Sequence, residues 1–136
     1  MHGNRRFLCA SVLAVLGSSC MYPACQNCFS RLLFIANRFE CPRCRFSVKE
    51  AKQRYRLCLK VAEWSQIYVI TVFGSCLDQI FGTSANSLMR HLEGSILTSG
   101  KLAHERALEL LNEAVEYCFV GRNFIFGVKG HITRTK

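Results

Sequence analysis

The sequence lacks the residue sets that catalysis needs. Its four histidines, His2, His91, His104 and His131, are scattered, and none has a carboxylate partner at a useful spacing. It has no glycine-rich phosphate loop and no Gly-x-Ser-x-Gly elbow. These absences argue against an enzyme and against a small-molecule substrate. No apolar run approaches the roughly 20 residues of a membrane-spanning helix, so no membrane association is expected. Acidic residues are scarce in one half only. Residues 1–60 hold two, Glu40 and Glu50, against eleven Lys and Arg, whereas residues 61–136 hold seven of each sign. The formal excess of +9 therefore sits entirely in the first half. Charge carried for solubility alone has no reason to cluster in this way. A one-sided basic surface points to a polyanion, most simply nucleic acid.

What is abundant is cysteine, nine in 136 residues. Cys25-Gln26-Asn27-Cys28 and Cys41-Pro42-Arg43-Cys44 stand twelve residues apart. Two such knuckles at that separation have the spacing of a four-thiolate Zn²⁺ site, with a short hairpin between them. A tetrahedral shell of four sulfurs leaves no open position, so the metal would be structural. Two redox or disulfide pairs are the alternative reading. Cys9, Cys20, Cys58, Cys76 and Cys118 have no pairing rhythm, which suits a reducing compartment. Cys20, five residues ahead of Cys25, is a candidate substitute ligand.

Half of the residues are hydrophobic and a fifth charged, enough apolar content for one domain with a core. Residues 5–16 read as a first strand, with Leu8, Ala10 and Val12 alternating against Phe7, Cys9 and Ser11. Asn4-Arg5-Arg6 ahead of Phe7–Leu16 also fits the basic and apolar regions of a signal peptide. Leu32 to Ile35 should cover the metal site. Tyr55–Val61 and Ile67–Phe73 each alternate with period two, and Ala62 to Gln66 should form the turn between them. If Val61 faces Ile67, the core face carries Tyr55, Leu57 and Leu59 with Val69, Thr71 and Phe73. The outer face then carries Arg56, Cys58, Lys60, Tyr68, Ile70 and Val72. Charge mixed with an aromatic is what a single-strand binding surface needs. Trp64 would stack on a base or cap the barrel end.

Ser75–Phe81 predicts a short helix ended by Gly82, and Thr83 predicts the N-cap of a second helix running to Leu92. Residues 101–118 predict a third helix. Leu102, Ala103, Ala107, Leu108, Leu110, Leu111, Ala114, Val115 and Cys118 line its apolar face. Arg122–Val128 reads as a last strand, followed by a basic tail over 131–136.

The order of parts carries a resemblance. A strand, Cys20-Met21-Tyr22-Pro23-Ala24-Cys25, a second knuckle, an alternating strand from Tyr55-Arg56, then Val69-Ile70-Thr71-Val72-Phe73-Gly74, helices and Phe124-Ile125-Phe126-Gly127 follow one another. This resembles the C-terminal oligonucleotide/oligosaccharide-binding (OB) domain of the replication protein A large subunit, over roughly residues 5–130. The resemblance implies a fold that is mainly β with helices. It is an OB barrel with a zinc ribbon, residues 20–48, inserted between its first two strands, and residues 5–16 in the first strand. It implies Zn²⁺ at Cys25, Cys28, Cys41 and Cys44, and single-stranded DNA as the ancestral partner. Within the family, the text is similar to members acting in cell survival after DNA damage, in nucleus and cytoplasm. The family's barrels continue beyond Phe-Ile-Phe, so a barrel truncated at its last strand is expected here.

The expected function is single-stranded DNA binding in a damage-response, anti-apoptotic setting. The alternative is a protein-interaction module that has lost DNA binding, with a protein partner in the same response. On the pattern reading alone, phosphates should meet the Arg and Lys of residues 31–60, with Arg31, Arg38, Arg43, Arg45, Arg56 and Lys60 as the named contacts. Bases should stack on Tyr68 first, then on Phe39 and Trp64.

Overall fold

The computed structural model describes residues 5–17, 19–99, 101–129 and 133–134, the side chains of Arg5, 95–104 and 133–134 excepted. Asn4, the side chains of Leu102 and Ala103, and most of the basic tail therefore lie outside what is described. Strand β1 (Arg5–Leu16) alternates as its sequence dictates, with Leu8, Ala10 and Val12 buried and Phe7 and Cys9 exposed. A bulge at Leu13 breaks the pairing register of β1 with β6 (Lys52–Glu63) and turns Leu13 outward. Strand β2 (Met21–Ala24) pairs with the first third of β6, and β1 pairs with the rest. One long strand is thus flanked along one side by β2 and then β1 in succession. The Arg56 N–H donates to the Cys20 carbonyl at 2.8 Å across the join.

Strands β3 (Leu33–Ile35), β4 (Arg38–Glu40) and β5 (Ser47–Val48) form a separate three-stranded sheet, the ribbon. Ala36 and Asn37, both at positive φ, make the two-residue turn between β3 and β4. The large sheet runs β8-β1-β6-β7-β9, with β7 (Gln66–Phe73), β8 (Asn123–Lys129) and β9 (Thr133–Arg134). Only three residues of chain, four Cα-to-Cα steps, separate Lys129 on one edge from Thr133 on the other. They reach at most about 14 Å, so the sheet curls its edges toward each other. Among the described residues β8 and β9 are not hydrogen-bonded to each other, and the barrel is curved rather than closed.

The β6–β7 hairpin differs from expectation by one residue. Glu63 pairs with Gln66 across a two-residue turn, Trp64-Ser65, where Trp64 holds a φ of 56°. Tyr68, Ile70 and Val72 therefore face Val61, Leu59 and Leu57 in the core, and Val69, Thr71 and Phe73 lie on the outer face. A shift of one residue carries every side chain of a strand to the other side.

Helix α1 (Cys76–Phe81) ends at Gly82 in the left-handed region. Helix α2 (Ala85–Ser99) is capped by Ser84, whose Oγ accepts from Ser87 N–H at 3.1 Å, rather than by Thr83. It runs on past Leu92 and Gly94. Helix α3 (Lys101–Phe119) buries Val115 and Phe119 and packs Ala107, Leu111 and Cys118 against the core. Leu108, Leu110 and Ala114 turn to solvent, because only one narrow stripe of the helix meets the sheet. No described helix is long and apolar enough to cross a membrane.

Candidate nucleic-acid interface and metal ribbon

The two knuckles repeat one backbone pattern. Phe29 N–H donates to the Cys25 carbonyl and Arg45 N–H to the Cys41 carbonyl, each at 2.9 Å. Cys25 N–H donates to the Ser30 carbonyl at 2.9 Å, and Cys41 N–H to the Phe46 carbonyl at 3.0 Å. Phe29 and Arg45, each just past its second cysteine, hold φ of 61° and 57°. The sulfurs of Cys25, Cys28, Cys41 and Cys44 all lie within 4.8 Å of one another, with Cys25–Cys44 at 4.0 Å and Cys28–Cys41 at 3.6 Å. Four sulfurs in tetrahedral array around Zn²⁺ are separated by about 3.8 Å. The four cysteines could therefore hold a metal ion.

Their protonation shows the same crowding. The hydroxyl of Ser30, 3.2 Å away, and its backbone N–H hold the Cys28 thiol down to about 6. At Cys44 the Asn27 amide pulls downward from 3.3 Å, but the other cysteines and desolvation outweigh it and raise the thiol to about 11. Four thiolates this close repel one another, and a divalent cation among them removes the repulsion. Cys20 is not a ligand. It is buried in the barrel core, where desolvation pushes its thiol up. Leu32 and Phe39 pack against the sulfurs, whereas Leu33, Phe34 and Ile35 face solvent and do not cover the site.

The ribbon is joined to the barrel by a cluster of rings and cations. The Arg54 guanidinium lies 4.3 Å from the Phe29 ring centre and 5.2 Å from that of Phe73. Its Nη1 donates to the Tyr22 hydroxyl at 3.0 Å, and that hydroxyl donates to the Phe29 carbonyl at 2.8 Å. Tyr22 meets Phe73 edge to face, Arg31 stands over Tyr22 at 5.4 Å, and Arg56 stands over Phe73 at 5.9 Å. Phe29 and Phe73 remain 48% and 43% exposed, enough to offer a ring surface to a ligand. Gly74 makes the arrangement fit, since a Cβ there would stand 3.1 Å from Arg54 Nη2.

Of the residues expected from sequence, Arg31 and Arg56 belong to this cluster. Lys60 shares the outer face of β6 and is half-buried. Arg43 and Arg45 are exposed on the ribbon, and Arg38 braces it through Ser47 Oγ at 3.1 Å, but none of the three joins the cluster. Tyr68 is a correction: at 5% exposure it is covered, with the Arg6 guanidinium 5.7 Å from its ring centre. The one-residue register shift put it inside. Phe39 is partly covered against the cysteines, and Trp64, 97% exposed at its turn, caps nothing. Sequence reasoning took in Arg54 only as one of the Arg and Lys of residues 31–60, and left out Phe29 and Phe73 as contacts. The correct register would have found Phe73, which lies across the strand pair from Arg56.

A curved sheet with a four-cysteine ribbon between its long strands and helices ahead of its last strands defines an OB-fold domain of the replication-factor kind. The chain belongs to the replication factor-A C terminal domain family, which residues 7–116 match. It is 50% identical to the mouse DNA damage-induced apoptosis suppressor protein and 48% identical to the human one, in each case over 94% of this chain. It spans 14% and 13% of the length of those relatives. Among solved structures it is similar to a replication protein A heterotrimer bound to ssDNA, with a TM-score of 0.57, 20% identity, and coverage of 93% of this chain and 28% of the other. It is also similar to yeast RPA bound to ssDNA, with a TM-score of 0.51, 15% identity, and coverage of 98% and 77%.

Proposed function

We propose that the domain binds single-stranded DNA without catalysing a reaction. The observation that carries this reading is the Arg54 guanidinium set between two half-exposed rings, Phe29 and Phe73, with Arg31 and Arg56 beside it. Single-strand binders combine cations that track the backbone with aromatic faces on which bases stack, each stack worth about 1–3 kcal/mol. Here Arg31, Arg54, Arg56 and Lys60 meet phosphates, and Phe29 and Phe73 meet bases. Arg38, Arg43 and Arg45 extend the positive field along the ribbon. Zn²⁺ held by Cys25, Cys28, Cys41 and Cys44 keeps the first knuckle folded, and with it Phe29. The ssDNA-bound neighbours and the family support this reading. The names of the relatives support a role in the damage response that protects cells from apoptosis, and presence in nucleus and cytoplasm is proposed with it.

The test is fluorescence anisotropy with a labelled mixed-sequence oligonucleotide on zinc-loaded protein across a salt series. Affinity should fall with salt by a slope near −0.7 for each phosphate contact. Arg54→Ala should weaken binding on the order of tenfold, the loss of about one stacked base. No binding at low salt refutes the proposal. It would leave the second reading, a protein-interaction module, which the exposed Phe7, Ile125 and Trp64 favour.

A further inference from the structure

A cavity of about 290 Å³ opens beside the Arg54 cluster, between the first knuckle, the start of β6 and the chain leading into α1 and α2. Pockets for drug-sized ligands run to about 300–1,000 Å³, so this space, at the lower end, suits something small, such as one nucleobase. Phe29 and Arg54 form its wall on the side of the exposed rings, which makes it continuous with the surface proposed for the strand. Lys52 and Arg54 line it, and so does Asp78. These opposite charges share one cavity, yet among the described residues no ion pair joins Asp78 to either cation. The Asp78 carboxylate has no hydrogen-bond partner among the described residues. Asn86, on the same wall, spends its Oδ1 on the Gln53 N–H at 3.3 Å, which leaves its amide NH₂ to donate.

A wall that offers an acceptor-only carboxylate, an amide donor and cations matches a nucleotide, whose base edge donates and whose phosphate is negative. We infer that this cavity takes one base of the bound strand, and that Asp78 makes it favour bases with an exocyclic amine over thymine. The inference rests on the single-stranded DNA reading above. Cytosine presents its N4 amine to a carboxylate beside the N3 acceptor, which suits the Asn86 NH₂. Thymine has no amine, and its one N3–H lies between two carbonyl oxygens that a carboxylate repels. Asp78 would thus act as a specificity residue, with Lys52 and Arg54 holding the adjoining phosphate.

The experiment compares oligo-dC with oligo-dT of equal length on the zinc-loaded protein at neutral pH, for the wild type and for Asp78→Asn. The wild type should bind dC on the order of tenfold more tightly. Asp78→Asn, whose amide both donates and accepts, should bring the two affinities together mainly by improving dT. Equal binding of dC and dT by the wild type overturns the inference, whether or not the variant folds. So does a variant that weakens both oligonucleotides by the same factor. Binding of neither oligonucleotide refutes the DNA reading and the inference with it, and is distinguishable from equal binding of both.

Discussion

Stripping the Zn²⁺ proposed for the four cysteines should unfold the ribbon and leave the barrel standing. The ribbon has little apolar burial of its own. Leu32 is the one fully covered aliphatic side chain in its described cluster, and Leu33, Phe34 and Ile35 face solvent. Covering one leucine stabilises by about 1.5–3 kcal/mol. Ordering the eight knuckle residues, Cys25–Cys28 and Cys41–Cys44, costs about 8–16 kcal/mol at about 1–2 kcal/mol each. A structural Zn²⁺ contributes about 10–16 kcal/mol, which is the size of the deficit. The barrel has no such dependence, because sixteen buried residues from β1, β2 with the preceding Cys20, β6, β7 and the helices form its cluster. Hydrogen exchange read by mass spectrometry, before and after a strong chelator, separates the two. The bonded amides of Phe29, Leu32, Cys41 and Arg45 should lose protection, while those of Leu57–Val61 keep it. Ribbon amides that stay protected after complete metal removal would refute the reasoning. So would loss of ribbon and barrel protection in a single step, since the two would then be one cooperative unit.

Tyr68→Ala should act as a core truncation, costing about 3–5 kcal/mol in urea unfolding, and Tyr68→Phe should leave oligonucleotide affinity unchanged. A tenfold affinity loss in Tyr68→Phe would put the Tyr68 hydroxyl on the binding surface and refute its place in the core. Gly74→Ala combines a φ of +77° with a Cβ 3.1 Å from Arg54 Nη2, so it should cost about 1–2 kcal/mol in stability and also weaken binding, both measurable on one preparation. Stability should decline on the alkaline side through Tyr55. Burial first, then the charges of Cys20 and Asp78, push its phenol up to about 12, against about 10 in the unfolded chain. The unfolded state gives up that proton first, so the contribution is complete below pH 10 and is lost between about pH 10 and 12. Tyr55→Phe should flatten that slope in pH-dependent melting, and it should also lose about 1 kcal/mol at neutral pH with the 2.8 Å bond to the Thr83 carbonyl.

Period and spacing made the broad architecture legible. Alternation in Tyr55–Val61 assigned the core face of β6 correctly, and alternation in residues 5–12 marked β1 as a strand, because a strand half-buried in a sheet has to alternate. The cysteine spacing brought the four sulfurs together, because two knuckles leave few other arrangements. The register of the β6–β7 hairpin was not legible. Glu63-Trp64-Ser65-Gln66 contains no Gly, Asn or Asp to announce a two-residue turn, and without that signal a longer turn is the natural reading. The bulge at Leu13 was hidden for a similar reason, since an inserted residue leaves no composition mark in an apolar strand. The place of Arg54 between two rings was beyond any local pattern. Its partners Phe29 and Phe73 lie 25 and 19 residues away along the chain, and only the docking of the ribbon on the hairpin brings the three together.

The repeated geometry of the knuckles sharpens what the ribbon contributes. Phe29 and Arg45 occupy equivalent left-handed positions, where a side chain costs about 1–2 kcal/mol and glycine would be free of that cost. A bulky aromatic there is an outlier that needs a compensating contact. At Phe29 the compensation is visible: its ring lies against the Arg54 guanidinium and its carbonyl accepts from Tyr22. At Arg45 the side chain stays exposed and adds charge. The two halves of one metal motif therefore do different work. One carries an aromatic residue inward to complete a surface on the barrel, and the other carries a cation outward. Metal binding alone would be served equally well by glycine at both positions, so the residues found there belong to the surface rather than to the metal.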